Sequence, residues 1–502
     1  MSGAGEAPVT IELALVSHTN SGKTTLARTL LGRDIGEVRD APHVTELAAP
    51  HVLLQSPAGD ELRLWDTPGF GDSARLVSRL RSADNPIGWL LREVWDRYRD
   101  RPFWCSQQAV RAARDSSDVM LYLVNAAEEP RDAGYLAHEI QVLRWLAKPV
   151  LVLLNQVGPP RPREDERADE DRWRAHFAAL GHPCEVLTLD AFARCWVQEG
   201  RLLAAVAGQL PAAKQAGCAR LQAEWTSRHL ERFDASMRHL AGQLAAAALD
   251  SETIDEERAS IGDRVRDVFA RGNDGTRRRA TDALAARLDD GVRTSTDALI
   301  ALHGLDGSAS TAVLERVQRA YAAQEPIPEG RAALFGGVLT GALAGLKADL
   351  ATGGLSMGAG MLVGALVGGL GGAGIARGIN RLTGTERAQV YWPDEFLDGL
   401  MRSGVLRYLA VAHYGRGRGR FVEGESPAFW HGVVQGAVDA RRERLHSLWA
   451  DARAAADPAI LETALYAEYR AVASRVLTRL YPNQVPSQLM SGAADQPMPV
   501  RA

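Results

Sequence analysis

Seven strand-prone residues, Thr10–Val16, run directly into Ser17-His-Thr-Asn-Ser-Gly-Lys-Thr24, and Thr25–Leu31 follows with apolar residues at helical spacing. Few local patterns restrict a fold as tightly. A glycine at position 22 lets the backbone curl, so that successive N–H groups at the start of a helix face one point, where an anion fits. Lys23 then reaches the terminal phosphates of a nucleotide, and the Thr24 hydroxyl is a ligand for Mg²⁺. Ser21, Gly22, Lys23, Thr24 and Thr25 form the expected nucleotide-contacting run. Lysine usage sharpens this reading. Of 58 Lys and Arg residues only four are lysines, at 23, 148, 214 and 347. A chain that otherwise uses arginine keeps a lysine here, where a compact ammonium fits and a planar guanidinium does not.

The first 210 residues extend the pattern. His51–Gln55 and Glu61–Trp65, joined by Ser-Pro-Ala-Gly-Asp, read as a β-hairpin. Val119–Val124, Pro149–Leu154 and Glu185–Leu189 are further apolar strands. Helical stretches near 74–82, 86–98, 106–114 and 134–146 separate them, and Trp89, Trp95, Phe103 and Trp104 in this region read as packing residues, the alternative being an effector or dimer surface that responds to the segment after Asp66. Alternating strands and helices predict a mostly parallel sheet with helices on both faces over residues 1–210. The second hairpin strand ends in Asp66-Thr-Pro-Gly69. An Asp at a strand end can hold Mg²⁺ through water, and the Gly69 N–H can sense a γ-phosphate.

Composition excludes several classes. With 58 cationic and 62 anionic residues the net charge is −4, unlike a nucleic-acid coat. Cys105, Cys184, Cys195 and Cys218 show no metal-ligand spacing and are too few for a disulfide scaffold. A mean hydropathy of −0.17 excludes a polytopic transporter. The first residues lack a basic and an apolar signal region, so a cytoplasmic location is expected.

Beyond residue 210 the chain changes character. Residues 211–325 read as helical, with Leu221, Trp225, Leu230, Phe233, Met237 and Leu240 at helical spacing. Residues 326–384 read as a glycine-rich hydrophobic hairpin. Fourteen of the 48 glycines lie in 332–376, many at four-residue spacing (Gly337, Gly341, Gly345; Gly360, Gly364, Gly368, Gly372). Such spacing lets helix backbones approach closely. Leu350–Ala376 is uncharged and long enough to span a bilayer, whereas Ala332–Leu346 is shorter. Arg331, Arg377 and Arg381 flank the pair, consistent with both ends at the inner face of the cytoplasmic membrane. A hairpin entering membrane lipid is the preferred reading, and a hairpin buried in the protein is the alternative. Residues 385–483 are α-rich and carry Gly415-Arg-Gly-Arg-Gly-Arg420, a basic loop for anionic lipid or nucleic acid, or simply a solvated turn. Without interleaved aromatics, nucleic acid is the less favoured partner. Residues 484–502 read as a disordered tail.

The runs SHTNSGKTTLARTL, APHVT and LWDTPGFGD resemble the bacterial TrmE/Era-like GTPases. Together with AFARCWVQEG, ATGGLSMGAG and RYLAVAHYGRGRGRFVEGE they resemble, more narrowly, a proteobacterial group of such GTPases with a large C-terminal domain. The resemblance implies an α/β P-loop GTPase domain followed by an α-helical C-terminal half with the glycine-rich hairpin. It implies GTP/GDP and Mg²⁺, with Lys23 on the β- and γ-phosphates and Mg²⁺ held by Thr24, Asp66 and Thr45, the last being the switch I threonine of Pro42-His-Val-Thr45. Lys23, Thr45 and Gly69 would serve hydrolysis. Asn20 stands where potassium-stimulated members carry an Asn that coordinates K⁺.

Three departures qualify the resemblance. Ser17 replaces the leading glycine of the loop. The base-reading stretch is Asn155-Gln-Val-Gly158, so Asn155 can still bond the base, but the carboxylate expected at 158 is absent. Asp190, near the last guanine-contacting loop, either supplies that carboxylate or caps the next helix. Phe70 stands where many GTPases place a water-orienting Gln. The implied function is a GTP-hydrolysing switch, slow without K⁺, homodimerisation through the GTPase domain or a protein effector, whose state controls a membrane-associating helical half. The alternatives are a membrane-inserting scaffold with a poorly hydrolysing domain, or an NTPase without strict guanine specificity.

Overall fold

The computed structural model describes residues 7–18, 21–32, 49–70, 73–82, 110–111, 113–158, 160–191, 195–254, 274–305, 376–379, 388–414, 427–454 and 457–490. Asn20, Thr45, the four aromatics at 89–104, the hairpin residues 332–375 and the Arg416–Arg420 loop lie outside these. The chain divides into two compact units. One comprises Met1–Glu231 with Ala412–Pro427 and Leu480–Pro486, and the other comprises Arg232–Val411, Ala428–Arg479 and Ser487–Ala502.

The first unit is built on β1 (Thr10–Ser17), α1 (Lys23–Leu31), β2 (Ala49–Gln55), β3 (Glu61–Asp66), α2 (Ser73–Ser82), β4 (Val119–Asn125), α3 (Leu136–Leu146), β5 (Val150–Asn155), α4 (Arg163–Ala179), β6 (Glu185–Thr188) and α5 (Trp196–Gln209). Six strands form one sheet in the order β2-β3-β1-β4-β5-β6. Every neighbouring pair is parallel except β2–β3, the hairpin. The central strands are apolar almost throughout because helices cover both faces; VMLYLV of β4 and VLVLLN of β5 are buried at every position. Trp173 and Phe177 of α4 and Ile140 and Leu143 of α3 fill one core layer with Tyr122 and Phe70.

Helix α6 (Ala212–Leu249) begins in this unit, and the unit boundary falls inside it. Its first turns are clamped to the N-terminal ends of the strands. The Lys214 ammonium donates to the Thr10 carbonyl at 2.7 Å and to both Asp118 oxygens, just before β4. Arg220 donates to both oxygens of Asp60, at 2.7 and 2.8 Å, just before β3. Asp60 also accepts from the Val9 N–H and the Ser56 hydroxyl. The Arg220 hydrogen bonds hold its carboxyl well below the usual carboxylate range. Between the two cations, Gly217 passes so close that an added Cβ would meet Val9 Cγ2 at 1.9 Å. Replacing Arg220 by Ala strands a buried carboxylate. Because Arg220 itself is about a third exposed, we expect a loss of about 2 kcal/mol, below that of a fully buried pair. Thermal unfolding checks this, and Arg220→Lys should recover only part of the loss because it cannot bridge both oxygens.

The second unit contains α7 (Asp274–Leu302), α8 (Asp394–Ala412), α9 (Ala428–Asp439), α10 (Arg442–Ala454), α11 (Pro458–Leu480) and α12 (Ser487–Met490), the last inside the expected tail. The helical reading holds for most of it. Three four-residue strands differ: β7 (Ser251–Ile254), β8 (Ala376–Ile379) and β9 (Ala388–Tyr391) form an antiparallel sheet with β9 central. Each is too short to show a period in sequence, and β7 pairs with a strand more than a hundred positions away. Arg407 of α8 is fully buried and donates to the Val292 carbonyl, the Thr296 hydroxyl and the Gln243 side chain, tying α8 to α7 and α6. No described helix is long and apolar enough to cross a membrane.

Candidate nucleotide site

The C-terminal ends of β1, β3, β5 and β6 bring the candidate residues together, at the sheet edge opposite the α6 clamp. Gly22 adopts φ +83°, a left-handed conformation, and an added Cβ would lie 2.6 Å from Asn155 Nδ2. Both facts demand glycine at the point where the loop turns into α1. Lys23 is buried. Its ammonium donates to the Ser17 hydroxyl at 2.7 Å and to the His18 carbonyl at 3.2 Å. The serine that replaces the leading glycine therefore holds the lysine. The Ser21 hydroxyl donates to the same His18 carbonyl, so both ends of the loop converge on one acceptor.

Burial pushes the Lys23 ammonium down to about 8, with Asp66 and Glu139 nearby favouring the charged form. A triphosphate seated against this ammonium would select the charged form, so its affinity would be full well below pH 8 and fall as pH rises through 8. Between pH 7 and pH 9 the affinity for GTP should drop about tenfold, measured by displacement of a fluorescent nucleotide. The sign for the free fold is opposite. Its pKa is lower than in the unfolded chain, so Lys23 makes the free protein more stable as pH rises from 8 toward 10.5.

The Thr24 hydroxyl donates to Asp66 Oδ2 at 2.7 Å. Asp66 is buried, its carboxyl is pushed up by desolvation, and its Oδ1 accepts no hydrogen bond among the described residues. A buried carboxylate oxygen left over beside a threonine hydroxyl suits a hard divalent cation. Thr67 and Gly69 follow β3 directly, and the Phe70 N–H donates to the Ser17 carbonyl at 2.9 Å. The Phe70 ring is fully buried in the core. Its presence in place of a water-orienting residue thus has a structural basis: it anchors the start of this segment beside the phosphate loop.

Asn155, fully buried, joins three loops. Its Nδ2 donates to the Ser21 carbonyl at 2.8 Å, and its Oδ1 accepts the Ala191 N–H at 2.9 Å. The Ala191 carbonyl in turn accepts the Thr29 hydroxyl of α1. Asp190, also buried, accepts the Val157 N–H at 2.6 Å. Thr25 and Ser21 are buried within the loop and helix start. Glu139 of α3 completes the surround. It is fully buried, 2.8 Å from His18 Nδ1, and accepts the Tyr122 hydroxyl at 2.6 Å; burial pushes its carboxyl up. The signal for it in the sequence is an acidic residue on the apolar face of Leu136, Ile140 and Leu143. Among the described residues no cluster of His, Cys, Asp and Glu forms a separate metal centre.

A phosphate-cradling loop, a threonine facing a buried aspartate and an asparagine bonding loop to loop, on a six-stranded mostly parallel sheet, define a P-loop GTPase domain. The profile described as 50S ribosome-binding GTPase matches residues 12–156. The chain as a whole belongs to the family defined by the domain of unknown function DUF3482, whose profile matches residues 185–480, more than half of its length. The GTPase Der of Latilactobacillus sakei subsp. sakei (strain 23K) is 28% identical over 155 residues, covering 30% of this chain and 28% of Der. A crystal structure of Era in complex with MgGDPNP and a segment of 16S ribosomal RNA aligns with a TM-score of 0.30 at 18% identity, covering 41% of this chain and 58% of that one. A point variant of Aquifex aeolicus Era bound to GDP·AlF4⁻ aligns with a TM-score of 0.28 at 14% identity, covering 57% and 89%. The chain thus spans 28% of the Der sequence it matches and 58% of the RNA-bound Era chain.

Proposed function

We propose that this protein binds and hydrolyses GTP as a molecular switch whose nucleotide state controls its helical half. The observation that carries the reading is the meeting of Lys23, Thr24 and Asp66 at the end of β1 and β3, with the Thr24 hydroxyl 2.7 Å from Asp66 Oδ2. Thr24 and Asp66 would hold Mg²⁺, which neutralises phosphate charge when bound. Lys23 would bind the terminal phosphates, and the Gly69 N–H would contact the γ-phosphate. Thr45 as a further Mg²⁺ ligand and Asn20 as a K⁺ ligand follow from the resemblance of their motifs. Phe70 cannot orient water, so hydrolysis is slow until K⁺, a second copy of the GTPase domain or an effector supplies the missing group.

Phosphate release by the full chain with Mg²⁺ and GTP tests this. Slow release in NaCl that rises in KCl is expected, and no GTP-dependent release under either condition removes the hydrolytic reading. The glycine-rich segment 332–376 is proposed as the membrane-associating output. Its test is detergent-free fractionation, where full recovery in the soluble fraction with this segment protease-protected would instead place it inside the protein.

A further inference from the structure

The Glu139 side chain is fully buried on the otherwise apolar face of α3, with Leu136, Ile140 and Leu143. An apolar residue would pack there without the cost of desolvating a carboxyl group. The acid instead engages two partners, His18 at one oxygen and the Tyr122 hydroxyl at the other. We propose that Glu139 is a positioning residue for the phosphate loop: by holding the His18 ring it fixes the carbonyl on which Lys23 rests. This deepens the nucleotide-binding reading of the same site and rests on it.

His18 follows β1 directly, and the loop converges on its carbonyl. The Ser17 hydroxyl donates to that oxygen at 2.6 Å, the Ser21 hydroxyl at 3.1 Å and the Lys23 ammonium at 3.2 Å. The His18 backbone also forms a parallel bridge with Phe70, on the segment that follows Asp66 and Gly69. A shift of this one residue therefore displaces the lysine, the loop and the segment after β3 together. The ring is held from the other side. Its Nδ1 lies 2.8 Å from Glu139 Oε1, which sets the edge. Its face stacks on Tyr135, with centroids 4.3 Å apart and planes 18° apart. Tyr135 stands immediately before α3 and donates its hydroxyl to Glu128 at 3.0 Å. One contact at the edge and one on the face give the ring a single orientation. Both come from the start of α3, so this helix and the phosphate loop are joined through the His18 side chain.

The GDP affinity of the full chain, read by displacement of a fluorescent guanine nucleotide, tests the assignment together with thermal unfolding of the same preparations. His18→Ala removes the ring and keeps the carbonyl, whereas Glu139→Ala removes what holds the ring. Each should lose about tenfold in affinity, and the double variant should lose no more than either single one, because the two side chains act as a unit. Tyr122→Phe removes the other hydrogen bond to Glu139 without touching the loop. It should lower the unfolding temperature and change GDP affinity by less than about twofold. Glu139→Gln offers both an acceptor and a donor, so it holds His18 Nδ1 in either tautomer and should return to within about threefold of native affinity. The His18 side chain is 32% exposed, so its truncation opens no large cavity, and native GDP affinity in His18→Ala overturns the assignment. Additive losses in the double variant also overturn it, as does a Tyr122→Phe loss equal to that of Glu139→Ala, since either marks a general loosening of the core. A native protein that does not bind GDP removes the nucleotide-binding reading itself.

Discussion

In the Lys23→Ala protein, GTP affinity is expected to fall about a hundredfold and turnover to disappear, while the fold stays intact. Two opposing terms set this result. In the free protein the ammonium is buried against the Ser17 hydroxyl and the His18 carbonyl, two neutral acceptors, and burial has already lowered its pKa to about 8. Removing it relieves a desolvated charge, so the free fold loses little. In the proposed nucleotide complex the same ammonium would face phosphate oxygens, and charge-assisted hydrogen bonds are about twice as strong as neutral ones. A hydrogen bond to a charged group contributes about 1.5–3 kcal/mol, or roughly tenfold to two-hundredfold in affinity. Nucleotide displacement, phosphate release and thermal unfolding on one preparation separate the terms. Unchanged turnover would remove Lys23, and with it this site, from the reaction. Lys23→Arg should not restore activity, because a planar guanidinium does not replace a compact ammonium seated on the Ser17 hydroxyl and the His18 carbonyl.

Asn155→Ala should give the second large effect, with the opposite signature. Asn155 is fully buried, and both ends of its amide are engaged by backbone groups of different loops. Truncation leaves the Ser21 carbonyl and the Ala191 N–H without that partner in a dry environment, at about 1–3 kcal/mol each. Stability should therefore fall by about 2–4 kcal/mol, and nucleotide affinity with it, because the carbonyl before Gly22 is no longer fixed. Asn155→Asp is a sharper probe. It keeps an acceptor for the Ala191 N–H but sets a negative oxygen against the Ser21 carbonyl. Matching losses of stability and affinity are expected for Asn155→Ala, in contrast to Lys23→Ala, where affinity falls alone. An Asn155→Ala protein with native unfolding behaviour would refute the linking role.

How much of this is legible in the sequence depends on range. The phosphate loop, the Asp66 turn and all six strands of the large sheet announce themselves within short windows, because each combines a period-two or apolar run with a specific turn. The scarcity of lysine is informative beyond the loop: Lys148 donates to the Ser117 carbonyl and Lys214 to Asp118, so each described lysine has a specific seat. What sequence does not show are pairings between distant positions. Asp60 and Arg220 are 160 residues apart, and Glu139 reaches His18 across 121. Ser17 reads as a departure from the motif until its hydroxyl is seen against Lys23. The strands β7, β8 and β9 pair across the helical half and carry no local pattern of their own. For Asn155 the motif suggests a base contact; what it does not show is that the amide ties the phosphate loop to the loop after β6.

The sixth strand carries a consequence for heredity. The GTPase profile ends at residue 156, and the family profile begins at Glu185, the first residue of β6. The seam that sequence comparison draws thus falls inside one hydrogen-bonded sheet, between two adjacent parallel strands. A recombination event at that seam would not exchange one finished module for another. It would leave β5 as a bare edge on one side and an unpaired strand on the other. Ala191 would travel with the helical half, so a change of C-terminal domain would also change a partner of the Asn155 amide. The sheet is complete only when both stretches of sequence are present.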